Sequence, residues 1–91
     1  MKRPFLNPRS RAVVDSFGDA IFDALKSLGA REQYAIIRRY GLDRQGPRTY
    51  REIADSLGVS IARVQTIERS GLHKLGRLRN HRPAAAVASG E

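Results

Sequence analysis

The chain contains no cysteine, so it has no disulfide and no thiolate metal site. Its two histidines, His73 and His81, have no Cys, Asp or Glu at the spacing a zinc site needs. No apolar run approaches the roughly 20 residues of a membrane span. The opening MKRPFLNPRS is basic but lacks the long apolar segment of a signal peptide. These absences predict a cytoplasmic, nucleoid-associated protein with no membrane partner. No nucleophile–base pair, metal cluster or phosphate loop is present, so the expectation is no enzyme, no cofactor and no metal. No alternating apolar pattern occurs, so no sheet is expected.

What the chain has is positive charge. Its 91 residues carry 17 Lys and Arg against 9 Asp and Glu, a net charge of +8. Such a balance points to a polyanion, and nucleic acid is the usual one. The charge is uneven. Lys2, Arg3, Arg9 and Arg11 make the first 12 residues basic, and Arg63, Arg69, Lys74, Arg77, Arg79 and Arg82 outweigh Glu68 in the last third. Between them, Asp15, Asp19 and Asp23 against Lys26 make residues 13–28 acidic. A chain of this length is one small domain, burying only about 60% of its unfolded surface.

The apolar spacing predicts an all-α, compact four-helix domain over residues 11–80. A flexible basic arm (1–10) precedes it and a disordered tail (81–91) follows. Pro4 and Pro8 favour an extended arm, with Ser10 as a cap. Val13, Phe17, Ala20, Ile21, Ala24, Leu25 and Leu28 step by three and four and predict one helix over 11–28, ended by Gly29. A second helix is expected over 30–40, with Tyr34, Ile37 and Ala30 inward, Ile36 and Tyr40 at the flank, and Gly41 as its stop. Gly46-Pro47 marks a loop.

The stretch TYREIADSLGVSIARVQTIE, residues 49–68, carries the strongest local signal. Thr49 and Glu52 have the spacing of a capping box. A short helix over 50–57 would end at Gly58, and Ser60 would cap a helix over 61–79. Ala54 is small enough for two helices to cross closely, and Gly58 gives the backbone freedom to reverse within three or four residues. Ile53, Leu57, Val59, Val64 and Ile67 fill the wedge, and Gly71, Leu72, Leu75 and Leu78 continue the inward face. This is the plan of a helix-turn-helix over 49–79 whose second helix enters a major groove of duplex DNA. Its outward Ser60, Ile61, Ala62, Gln65 and Thr66 would meet bases, with Gln65 suited to adenine and Ile61 and Ala62 to thymine methyls. Arg63 and Arg69 would reach guanine or phosphate. Arg31, Arg48, Thr49, Arg51 and Lys74 would hold the DNA backbone, and Tyr50 is a further candidate DNA-binding residue.

The runs REQYAIIRRYGL and RTYREIADSLGVSIARVQTIERSGLHKL, about residues 28–78, resemble region 4 of primary-type bacterial sigma factors. Arg31-Glu32, Arg39-Tyr40-Gly41, Thr49, Glu52-Ile53-Ala54, Leu57-Gly58-Val59-Ser60, Arg63-Val64, Ile67-Glu68, Leu72 and Lys74-Leu75 stand where that family has the same or similar residues. The resemblance implies binding at the promoter −35 element, with the positions of Arg31 and Thr49 on the DNA backbone. It also implies docking onto the beta-subunit flap of RNA polymerase, here through Phe17, Ile21, Leu25, Tyr34 and Ile37. Two departures carry expectations. The base-reading positions, usually Arg-Glu and then Arg-Gln, hold Ile61-Ala62 and Gln65-Thr66, which predicts a target other than the usual −35 sequence. The sigma part that melts the −10 element has no counterpart in these 91 residues, so the expectation is one half of a split sigma whose missing regions a second protein supplies, a phage-encoded mimic, or an adaptor that holds polymerase through the flap.

Three functions fit. The first is a stand-alone region-4-like transcription regulator that binds polymerase and promoter DNA. The second is a polymerase-binding adaptor or sigma mimic without base readout. The third is an independent, dimeric helix-turn-helix repressor or activator.

Overall fold

A computed structural model describes the backbone of residues 8–88 and the side chains of residues 8–80. Among the described residues all regular structure is helical: α1 (Pro8–Asp15), a 3-10 turn (Gly18–Ala20), α2 (Ile21–Leu25), α3 (Ala30–Arg39), α4 (Tyr50–Leu57) and α5 (Ile61–Ala88). No helix among them is long and apolar enough to cross a membrane.

The single helix expected over 11–28 is two helices. The ladder ends at Ser16, whose N–H donates to Ala12 O at 3.0 Å, and Gly18 then takes a left-handed φ of 55°. That turn lets Val14 and Phe17 enter the core from one helix and Ile21, Ala24 and Leu25 from the next. Steps of three and four thus survive a change of helix axis. Residues 8–10 of the expected arm are already helical, so Ser10 lies inside α1. Residues 1–7 lie outside the described residues. Gly29 does not terminate the preceding segment. It is the extended N-cap of α3, and its N–H donates to Glu32 Oε1 at 2.9 Å.

The inward face of α3 is rotated from the expected one. Ala35, Ile36, Arg39 and Tyr40 are buried, whereas Tyr34 and Ile37 are half-buried and Ala30 is exposed. The cause is Arg39, a charge whose burial the spacing conceals. Its Nη1 donates to Arg48 O at 2.9 Å, and its guanidinium lies 4.0 Å from the centre of the Tyr50 ring. Those contacts stand in for the water it loses.

Helix α3 divides the interior into two clusters. Ile36 and Tyr40 join Val14, Phe17, Ile21, Ala24, Leu25, Leu28 and Leu75. Ala35, one residue away, faces Ile53, Ala54, Val64 and Ile67. Helix α5 spans both, with Val64 and Ile67 in one cluster and Leu75 in the other. Its backbone continues to Ala88, past the boundary near 79 that the sequence suggested. Residues 89–91 lie outside the described residues.

Candidate nucleic-acid interface

Two caps fix the position of the reading helix. Thr49 Oγ1 accepts from Glu52 N at 3.1 Å, and Glu52 Oε1 accepts from Thr49 N at 2.9 Å, closing the capping box that starts α4. Gly58 then turns left-handed at φ 70°. Its N–H and that of Val59 both donate to Ala54 O, at 2.8 and 3.1 Å. Within a few residues the direction of the chain is reset, and Ser60 Oγ accepts from Arg63 N at 3.0 Å to start α5. The turn works because Ala54 is small and buried where the helices cross, while Ile53, Val64 and Ile67 fill the wedge behind.

With Val64 and Ile67 turned inward, Ile61, Ala62, Arg63, Gln65, Thr66 and Arg69 all lie exposed on the first turns of α5. None of these exposed residues is acidic. No ion pair within the described residues engages Arg31, Arg51, Arg63 or Arg69. Thr66 Oγ1 donates back to Ala62 O at 3.2 Å, so its methyl is left for outward contact.

Other residues expected on DNA are committed within the protein. Tyr50 is partly buried, and its hydroxyl donates to Glu68 Oε1 at 2.8 Å. That bond ties α4 to α5. Arg48 is folded into the loop before α4, where it donates to Asp43 Oδ1 at 3.2 Å, Gly46 O at 3.0 Å and Gln45 Oε1 at 3.0 Å. Asp43 is held below its ordinary pKa, chiefly by the hydrogen bond from Arg48, and Arg48 is raised by the same bond. Lys74 reaches Glu32 Oε1 at 3.0 Å, so a phosphate contact would have to exchange that pair.

Glu32 is a tie between α3 and α5. It accepts from Gly29 N, from Ser70 Oγ at 2.6 Å and from Lys74. Burial pushes its carboxyl up, but these hydrogen bonds and the Lys74 charge outweigh burial and leave it below the ordinary glutamate value.

A second tie lies behind the reading face, at a residue that sequence spacing does not single out. Glu68 is only 7% exposed. Its Oε2 accepts from Tyr40 at 2.9 Å and its Oε1 from Tyr50 at 2.8 Å. Burial first, then the Glu68 charge, pushes the Tyr40 phenol well above its ordinary value, and burial and Glu68 raise Tyr50 as well. The available signal is position: Glu68 adjoins Ile67 on the inward arc of α5, the single acid on an otherwise basic helix stretch.

The expected polymerase-binding set divides. Phe17, Ile21 and Leu25 are 4%, 6% and 1% exposed. They are core residues and cannot form a docking surface without unfolding the domain. Tyr34 and Ile37 keep partial exposure, with Arg38 stacked 4.7 Å from the centre of the Tyr34 ring. The large apolar side chain that α2 does present outward is Phe22, 51% exposed.

Residues 24–77 match the family described as Sigma-70, region 4. The chain is 33% identical over 70 residues to the RNA polymerase sigma factor SigA of a Bacillus species, covering 77% of this chain and 19% of that protein. It is 38% identical over 52 residues to the RNA polymerase sigma-E factor of Clostridium acetobutylicum, covering 57% of this chain and 22% of the relative. Against the RNA polymerase sigma-K factor of Bacillus subtilis it is 44% identical over 48 residues, covering 53% and 16% of the two chains. The matched stretch is thus about a fifth of the length of these relatives. No solved structure matches the chain.

Proposed function

Because this chain belongs to the sigma-70 region 4 family, we propose that it is a transcription regulator that binds promoter duplex DNA near the −35 position and the core RNA polymerase. The N-terminal turns of α5 enter the major groove, and Arg31, Thr49 and Arg51 hold the strand on the side of α3 and α4. The observation that carries the reading is the exposed, acid-free row Ile61, Ala62, Arg63, Gln65, Thr66 and Arg69, set on a helix capped by Ser60 and packed through Val64 and Ile67. Polymerase engagement is assigned to the beta flap, through Phe22 with Tyr34 and Ile37, since Phe17, Ile21 and Leu25 are interior. The sigma activities carried by the other four-fifths of its relatives would be supplied from outside these residues, by a second protein in the stand-alone case.

The test is a salt titration of binding to a promoter duplex. About five phosphate contacts give a slope of log affinity against log salt of about −4.5. A flat response removes DNA from the proposal. Arg63→Ala is expected to weaken binding while the fold stays intact.

A second reading, a polymerase-binding adaptor without base readout, is favoured by one feature. Ile61, 38% exposed, and Ala62 occupy the first outward positions of the reading helix, where charged side chains would discriminate bases. Capture of core polymerase without DNA, together with no shift of any promoter fragment, would select it.

A further inference from the structure

Thr66 is exposed on the second turn of α5, yet its hydroxyl proton is spent inside the helix, on Ala62 O at 3.2 Å. We infer that Thr66 is a specificity-determining residue of the proposed interface, and that its γ-methyl selects pyrimidines carrying a methyl at C5, which in unmodified DNA means thymine. The inference rests on the reading of α5 as the groove-binding helix and names what a base must present to it.

The stereochemistry of the side chain carries the step. A helical threonine divides between two rotamers because its oxygen can bond a carbonyl of the preceding turn. The bond to Ala62 selects the rotamer that lays Oγ1 back on the helix and leaves the methyl outward. A hydroxyl free to rotate would meet either kind of base edge; this one has no proton left to give. Ala62, Thr66 and Ser70 are spaced by four and form one row, with successive members about 6 Å apart along the axis. Ser70 closes the row, because its Oγ donates to Glu32 Oε2 of α3 at 2.6 Å. The base-facing part of the row is therefore Ala62 and Thr66, two methyl groups with no donor between them.

The rest of the face agrees with this choice. None of the exposed Ile61, Ala62, Arg63, Gln65, Thr66 and Arg69 is acidic, so no carboxylate accepts from the cytosine amino group. An apolar row can read only the C5-methyl of thymine. Gln65, on the adjoining row with Ile61, is suited to adenine, and the two rows together favour A·T pairs. Burying one methyl-sized group is worth about 0.8 kcal/mol, which is about fourfold in affinity. The selection is modest, as methyl contacts allow.

The experiment is binding of the full chain to a promoter duplex and to the same duplex with deoxyuridine at every thymidine, which removes the methyls and keeps the pairing edges. The wild-type chain should prefer the thymine form by about fourfold or more. Thr66→Ser keeps the hydroxyl and loses the methyl. It should lower that preference by about fourfold, by weakening binding to the thymine form while leaving the uracil form unchanged. Thr66→Val keeps the outward methyl and should keep the preference. Should thermal melting find Thr66→Ser unfolded, Thr66→Ala carries the same expectation. Equal binding of the two duplexes by the wild-type chain, with binding still steep in salt and still weakened by Arg63→Ala, overturns the inference and leaves the groove reading standing. A preference that Thr66→Ser retains overturns it too, and so does one that Thr66→Val loses, since the hydroxyl would then be the reading group. A wild-type chain whose duplex binding does not respond to salt overturns both.

Discussion

Gly71 provides a stringent test of how α5 is held. A Cβ built there would lie 2.6 Å from Ile36 Cδ1 and 3.3 Å from both Glu32 Cβ and Leu28 Cδ2. Carbon atoms prefer about 3.5–4.0 Å, so the Ile36 methyl would have to move by about 1 Å. Ile36 is fully buried in the cluster that also holds Leu75, and a close-packed interior has no void to receive it. Two effects compete in Gly71→Ala. Helix propensity favours Ala by about 1 kcal/mol, while overpacking costs about 1–3 kcal/mol. Overpacking wins, and the variant should be less stable by up to about 2 kcal/mol, a fall in Tm of roughly 4–8 °C per kcal/mol for a domain this small. The decisive comparison is the cycle with Ile36→Val, which deletes the clashing methyl. Alone it should cost about 0.5–1.5 kcal/mol. In that background the methyl added at position 71 meets only the two contacts at 3.3 Å, so the propensity gain re-emerges and the pair couples favourably by about 1–3 kcal/mol. Urea unfolding followed by circular dichroism reads all four chains, with m unchanged. If Gly71→Ala stabilises the wild-type background by the full propensity gain and the two changes add within about 0.5 kcal/mol, the close crossing of α3 and α5 is wrong.

Two further outcomes follow from the polar ties behind the reading face. Glu68→Leu leaves the Tyr40 and Tyr50 hydroxyls without their acceptor and should destabilise by about 1–3 kcal/mol for each one that stays buried, whereas Tyr50→Phe should cost less; urea midpoints compare them. Glu32 and Asp43 both have folded pKa values below their ordinary values of 4.5 and 3.8. A carboxyl depressed by folding contributes stability that is complete above its unfolded value and lost as pH falls through its folded value. Stability to urea should therefore decline from about pH 4.5 downward, and Glu32→Gln should flatten that decline while lowering stability at neutral pH.

The helix-turn-helix was legible because its determinants are local. The capping box at Thr49, the left-handed turn at Gly58, the cap at Ser60 and the apolar steps Ile53, Val64 and Ile67 need only neighbours in the chain, and each stands where its spacing placed it. Errors arise where partners are distant. Arg39 is buried by the Arg48 carbonyl and the Tyr50 ring, and no periodicity rule assigns a charge to a core face. Treating it as outward rotates α3 and puts Tyr34 and Ile37 in place of Ala35 and Ile36. Phe17, Ile21 and Leu25 resemble a docking surface in the sequence because an apolar stripe looks the same whether a partner or the domain itself covers it. Here α3 and α5 cover it. Glu68 escapes for the same reason as Arg39, since its two phenol partners lie 28 and 18 residues away.

The composition of the reading face sets how the proposed interface would work. Of its outward side chains, Gln65 is suited to bidentate pairing with adenine, a contact that discriminates by about 1–3 kcal/mol. Ile61 and Ala62 offer methyl contacts, and the Thr66 hydroxyl proton is already given to Ala62 O. Arg51 and Arg31, and Arg63 and Arg69 where they meet phosphate rather than guanine, supply charge, which binds every sequence alike. Affinity of that kind is about 10⁻⁴–10⁻⁶ M at physiological salt, too weak and too indiscriminate to select a promoter from a genome. A short tether changes the arithmetic: it presents the DNA at an effective concentration in the millimolar range, well above such a dissociation constant. On this reading, attachment to polymerase is what makes the DNA contact useful, and the free chain should bind duplexes with little preference among sequences. Strong discrimination by the isolated chain, beyond what one glutamine and a row of methyl contacts can give, would contradict it.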